Sequence, residues 1–412
     1  DLLTDWVDIN TQYEQGYGIR SNGTAWSWGP NNSGEGGQGN TTDYSSPVQI
    51  GKSKNWKRCY SGFNTGFIQN SASEVYAMGS DTYGNLGTYD RGAFQSPVQV
   101  GSVFGMWSAM SDSPTRSQTI VAKVNGTAWG WGNNFFGELG IISTIDKSSP
   151  TQIGALTNWL KFSSGTQTNA IKANGTLWGW GNNTDGQAGT PVAGEFSSPI
   201  QIGALSTWNM ISSGTQFSLA IKTDKTLWAW GRNPNGELGQ SNTINRSSPV
   251  QIGALTTWDK ISCGRQYGLA IKTDNTLWSW GANDYGQLGQ STTINRSSPV
   301  QVSGSWIEAS GGYDHGLGIK TDGTLWAWGR GTSGRLGVGD TANYSSPVQV
   351  GALTDWVKVS AQDSFSYALK YDNTIWAWGN INGAGVSYSS PVQVGALTTW
   401  GDIKTGVNFI SA

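Results

Sequence analysis

Charge is the scarcest ordinary ingredient of this sequence. Only 13% of its 412 residues are Asp, Glu, Lys or Arg, and the formal net charge is −2. The Lys and Arg residues are scattered, with no basic tail and no like-charge block, so no nucleic-acid partner is expected. No apolar run approaches the roughly 20 residues of a membrane-spanning helix, and no membrane insertion is expected either. The one histidine, His315, excludes a His-based metal cluster. It is also the single candidate for Ser-His-Asp chemistry, and no G-x-S-x-G elbow accompanies it. The two cysteines, Cys59 and Cys263, fall at different positions of distant repeats and read as buried free thiols, not a bridge. No stretch reads as a helix. Gly-rich runs such as Gly34-Glu-Gly-Gly-Gln-Gly therefore lack the helix N-terminus of a phosphate loop. Catalytic residues, metal ligands and cofactors are accordingly set at none, and the protein is read as no enzyme.

Glycine (59) and tryptophan (23) are abundant instead, and both are periodic. A tryptophan opens each repeat, at Trp6, Trp56, Trp107, Trp159, Trp208, Trp258, Trp306, Trp356 and Trp400, with spacings of 44 to 52 residues. Seven copies carry Trp-x-Trp-Gly, as at Trp278/Trp280, and the second puts Tyr76 and Met78 in that frame. Eight copies close with Ser-Pro, from Pro47 to Pro391. Within the copy from Trp258, one strand starts at the tryptophan, a second at Leu269, a third at Thr276 and a fourth at Pro299. Asp274-Asn275 reads as a type I′ hairpin turn, as do Asn-Gly or Asp-Gly pairs in other copies. This predicts an all-β fold: a β-propeller of about eight four-stranded blades from repeats of about 50 residues. The first 395 residues form the eight repeats, and 396–412 are a surplus partial ninth repeat for blade closure or an inter-subunit strand.

Repeat positions account for every tryptophan, so packing, not sugar or base stacking, is their expected role. Glu35, Glu138 and Glu237 share one repeat position, which points to structure over an acid/base pair. Candidate binding residues are the rim tyrosines Tyr13, Tyr44, Tyr89, Tyr285, Tyr344 and Tyr388, with Tyr17 beside them. Candidate assembly residues are Trp400, Ile403 and Phe409, since an unpaired strand is a template for strand addition.

The pattern W-x-x-I-S-x-G…L-A-I-K-T-D-x-T-L-W-x-W-G…G-x-L-G…S-P-V-Q-V-G resembles the regulator of chromosome condensation repeat over essentially the whole chain. That resemblance implies a propeller of four-stranded blades. It further implies either an exchange factor for a small GTPase, like the family's namesake, or a structural or binding module, as among bacterial and viral surface members. The family's histidine three residues after the Ser-x-Gly glycine is kept only at His315; Thr65, Thr168, Phe217 and Tyr267 take its place by count. The namesake's basic tail has no counterpart, which disfavours the exchange factor. The expected function is a non-enzymatic structural or adhesive propeller of a virion, cell surface or extracellular assembly, acting as a protein-interaction scaffold. The alternative is a carbohydrate- or receptor-binding propeller. Expected partners are proteins, with self-association through the terminal strands and a glycan as further options.

Overall fold

The computed structural model describes residues 6–12, 15–62, 64–101, 107–112, 118–372, 374–380, 387–394 and 403–405. Among these, 32 strands form eight antiparallel sheets of four in chain order, and a short strand, Ile403–Thr405, joins the first sheet. The one helical turn among the described residues is the 3-10 turn Thr332–Gly334. The eight blades therefore start at Trp6, Trp56, Trp107, Trp159, Trp208, Trp258, Trp306 and Trp356.

Blade 6 shows how the repeat chemistry builds the sheet. Its strands are Trp258–Cys263, Tyr267–Lys272, Leu277–Gly281 and Arg296–Val302. Between the second and third, Asn275 (φ +64°) is left-handed and Asp274 is not. The Asn275 N–H donates to the Lys272 carbonyl and the Lys272 N–H to the Thr276 carbonyl. This is a three-residue connection with one left-handed residue, not the expected type I′ pair. The reason is the Asp274 carboxylate. It accepts both the N–H (3.0 Å) and the hydroxyl (2.6 Å) of Thr276, whose oxygen in turn accepts the Trp278 indole N–H.

The two tryptophans of Trp-x-Trp-Gly do different work. Trp278 is half-buried at the blade's own surface, whereas Trp280 is fully buried and donates its indole N–H to the Glu237 carbonyl of blade 5 at 2.7 Å. The same hook joins Trp131 to Asn85, Trp180 to Glu138, Trp230 to Gln187, Trp328 to Gln287 and Trp378 to Arg335. A second tie runs between first strands. The Ser262 hydroxyl accepts the Gly311 N–H of the next blade (3.0 Å), and Ser163, Ser212 and Ser310 act likewise. The serine of the W-x-x-I-S motif is thus a latch between neighbours. These ties set the first strands side by side around the axis.

The core is divided accordingly into eight apolar clusters, each shared by two successive blades. One of them sets Trp28 of blade 1 against Phe365, Tyr367 and Ile375 of blade 8, so the blades close into a ring. Closure is made by side chains and needs no strand shared between the chain ends. Ile403–Thr405 lies outside the four strands of blade 1, parallel to Trp6–Gln12, with Ile403 opposite Ile9 and Lys404 opposite Asn10. Trp400 and Phe409 lie outside the described residues.

Candidate interaction face

Chain topology puts the variable connections on one face. The loops between first and second strands, and the long loops between third and fourth strands, emerge there. The Asx hairpins emerge on the opposite face. In blades 1, 3, 4, 5 and 6 the long loop is tied down by an asparagine near its start. In blade 6 the Asn283 side chain accepts the Leu288 N–H and donates to the Thr292 and Ile294 carbonyls. Gly286 (φ +82°) is required beyond its dihedral, because a Cβ there would sit 2.5 Å from the Ser345 backbone of blade 7. Glu35, Glu138 and Glu237 accept N–H groups two residues upstream in the same loops, so they are turn braces.

His315 is fully buried, with Nε2 2.9 Å from the Ser366 hydroxyl of blade 8. Burial, with the nearby Arg335 guanidinium adding to it, holds its imidazole well below the usual histidine range, so the ring is neutral near pH 7. Aligned strand registers correct one equivalence. Gln167, not Thr168, stands where His315 stands, because Gln167 pairs with Gly181 as His315 pairs with Gly329. The turn before it is one residue shorter: the Gly165 N–H bonds the Gln167 carbonyl, two residues on, where Gly312 bonds His315, three on. Cys59 and Cys263 are free and buried in blades 2 and 6.

The rim tyrosines separate by environment. Tyr17 is not on the rim. It is fully buried between blades 1 and 2, and its hydroxyl donates to the Glu35 carbonyl. It occupies the register position of Leu269, where the side chain points into a blade junction. Tyr89 is 60% exposed at the loop tip of blade 2. Tyr44, Tyr344 and Tyr388 are half-buried at the starts of fourth strands, the last two against the core between blades 7 and 8. Tyr13 lies outside the described residues. Tyr285 alone joins a larger constellation.

That constellation spans blades 6 to 8. The guanidinium of Arg265 stacks 4.2 Å from the ring centre of Tyr313, and that of Arg330 lies 4.8 Å from Tyr285. Arg330 also pairs with Asp314 at 3.3 Å. Beneath them the almost fully buried Arg335 donates to the Asp363 and Thr332 carbonyls. Burial pulls the Arg335 guanidinium down and pushes the Asp314 carboxyl up, the latter opposed by its hydrogen bond to Arg330. Arg265 and Asp363 are exposed, while Tyr285, Tyr313 and Arg330 are half-buried. None of these except Tyr285 was singled out from the sequence. The available signal was departure from the repeat at two positions, where Arg265 replaces Thr215 and Arg335 replaces Glu237; Arg330 has a counterpart in Arg232 of blade 5 and carried no such signal. Chemically the site offers flat donors and π faces and no nucleophile. The described residues hold no group of three or more His, Cys, Asp or Glu placed to grip a metal ion.

Comparison with known proteins agrees with this architecture. A model of the RCC1-like domain matches residues 168–395, more than half of the chain, and a model of the regulator of chromosome condensation (RCC1) repeat matches residues 125–171. The chain belongs to the RCC1-like domain family. Solved structures share the RCC1-like fold at low identity. Human WBSCR16 is 16% identical, with 82% of this chain and 96% of that chain covered at a TM-score of 0.66. Prp20p from Saccharomyces cerevisiae is 18% identical, with 83% and 90% covered at 0.65. The RCC1-like fold is that of a protein-interaction scaffold.

Proposed function

We propose that this protein is a non-enzymatic interaction propeller that engages a protein partner through the loop face of blades 6 to 8. The observation that carries this reading is the pair of stacks, Arg265 on Tyr313 and Arg330 on Tyr285. Arg and Tyr dominate interface energetics because rigid flat groups bury much area at small entropic cost. Here each already rests on its neighbour and is held in place before any partner arrives. A location on a virion, a cell surface or in an extracellular assembly is part of the proposal. Its support is the composition: few charges and uncharged polar loops.

The experiment is affinity capture with cross-linking from the native source, using the wild type, an R265A/R330A variant and a Lys225→Ala control on the hairpin face. The partner should be lost at least tenfold with the double variant and retained with the control. Equal capture by all three overturns the reading. Glycan-array binding that disappears on substitution of Tyr44 or Tyr89 would move it to a carbohydrate-binding propeller. Yeast Prp20p is described by its binding to Gsp1p and histones and by a complex with Kap60. Stimulated nucleotide release from a small GTPase would replace the present reading with the exchange-factor role of the repeat's namesake. Self-association through the terminal strands belongs to the same proposal, on the ground that an unpaired strand is a template for strand addition. Removing residues 396–412 should lower the sedimentation coefficient; an unchanged value removes these strands from assembly.

A further inference from the structure

Seven blades keep a cation of their own over the half-buried third-strand tryptophan. Arg20 is 5.8 Å from the ring centre of Trp26, Lys123 is 4.2 Å from Trp129, and Lys172 is 5.6 Å from Trp178. Lys222, Lys272, Lys320 and Lys370 lie 3.4, 3.8, 3.4 and 5.6 Å from Trp228, Trp278, Trp326 and Trp376. All fall within the roughly 6 Å over which an aromatic face attracts a cation. In blades 4 to 7 the opening tryptophan also faces the ammonium, so the lysine sits between two rings, as Lys272 does at 5.0 Å from Trp258.

Blade 2 departs from this arrangement at three places together. Asn70 stands at the lysine position, Tyr76 replaces the third-strand tryptophan, and Glu74 replaces the threonine that elsewhere accepts the indole N–H. The two rings remain: Trp56 and Tyr76 are edge to face, with centroids 5.1 Å apart and planes at 85°. The equivalent pair around Lys272, Trp258 and Trp278, has 6.3 Å and 78°. Asn70 is shorter than lysine and turns away into the hairpin. Its oxygen accepts the Ala72 and Glu74 N–H groups, and its amide donates to the Glu74 carboxylate at 2.6 Å. Among the described residues no cation stands over either ring. Glu74 is half-buried, and the Tyr76 hydroxyl lies 3.4 Å from its carboxylate. Seven blades thus carry two rings or one with an internal cation. Blade 2 carries two rings and a carboxylate without one.

We propose that Trp56, Tyr76 and Glu74 form a binding site for an ammonium group supplied from outside, a lysine side chain that is either unmodified or methylated. Two π faces and one carboxylate are the chemistry that recognises such a head group. The site lies on the hairpin face, away from the Arg265 and Arg330 stacks, and does not depend on their role.

The experiment is an NMR titration of the full chain with three probes: tetramethylammonium, Nα-acetyl-lysine amide and its Nε-trimethyl form. The wild type should show saturable binding with shifts confined to the Trp56 indole N–H and the Tyr76 ring. Asn70→Lys, which installs the internal cation of the other blades, should weaken binding about tenfold or more, with Tm no lower than that of the wild type. Glu74→Gln should weaken it about threefold, and Tyr76→Ala serves as a second variant if N70K fails to fold. Tighter binding of the trimethyl form assigns the site to methylated lysine; tighter binding of the plain amide assigns it to unmodified lysine. No saturable binding by the wild type, or binding by N70K and Y76A equal to that of the wild type, overturns the proposal.

Discussion

Blades 1 to 4 and blades 5 to 8 share one backbone but fill its most repeated interior position differently. At the first residue of the second strand, blades 5 to 8 carry Phe217, Tyr267, His315 and Phe365. Blades 1 to 4 carry Gln15, Thr65, Gln118 and Gln167. All eight are buried. The aromatic set ties into the next blade: the Tyr267 hydroxyl donates to the His315 carbonyl at 2.5 Å, and His315 reaches Ser366. In the polar set both amide atoms of Gln118 have no hydrogen-bond partner among the described residues, and Gln167 makes only long bonds, 3.3 Å from Thr166 and 3.2 and 3.4 Å to Ser218 and Phe217 of blade 5. A buried polar group left unpaired costs about 1–3 kcal/mol. At this position the propeller therefore has a tighter half, blades 5 to 8, where only His315 Nδ1 lacks a partner among the described residues, and a looser half, blades 1 to 4. The Arg–Tyr constellation sits on the tight one, where a rigid base holds a binding group in place.

The largest test of this contrast is at the inter-blade hook. Trp280→Ala, in the tight half, should cost about 3–5 kcal/mol in chemical denaturation, because it empties a filled junction and frees the Glu237 carbonyl. Met78→Ala, in the same frame of blade 2, should cost less; equal losses would erase the distinction. Next comes an exchange of the two solutions. Gln118→Leu should stabilise by about 1–2 kcal/mol by removing an unpaired amide, and His315→Gln should destabilise by a similar amount. The smallest effect is at Asp81, which replaces the loop-bracing asparagine in blade 2 and accepts the Leu86 N–H at 2.7 Å. Burial pushes its carboxyl up to about 6, with Asp90 adding to the rise and Arg91 opposing it. The folded chain holds that proton more tightly than the unfolded one. Stability from this group is therefore complete at low pH and is lost as pH rises from the ordinary carboxylate value to about 6. Asp81→Asn should raise stability at pH 7 by about 1 kcal/mol and flatten the Tm profile between about pH 4 and 6.

Most of the fold was legible because each repeat states its own local rules: the tryptophan that starts a blade, the Asx hairpin, the Ser-Pro strand. Three details were not. The hairpin turn differed because Asp274 satisfies Thr276, a side-chain contact that outweighs the pair preference of Asp-Asn. Gln167 replaced Thr168 because a shortened turn moves the register without moving the glycine. Tyr17 looked like a rim residue because residue type alone does not say which side of a strand faces a neighbour. The constellation was harder still. Its members lie from Arg265 to Asp363 and meet only when blades 6, 7 and 8 are set side by side. What could be read in advance was the departure of Arg265 and of Arg335 from their repeat positions, one residue at a time.

Closure of the ring through Trp28 and blade 8, with no blade split between the chain ends, has an evolutionary corollary. Each blade is one uninterrupted stretch of sequence, so duplication or loss of a whole repeat leaves no strand without its sheet. The count of blades can then change by unequal recombination between near-identical copies such as TINRSSPVQ, found at Thr243 and at Thr293.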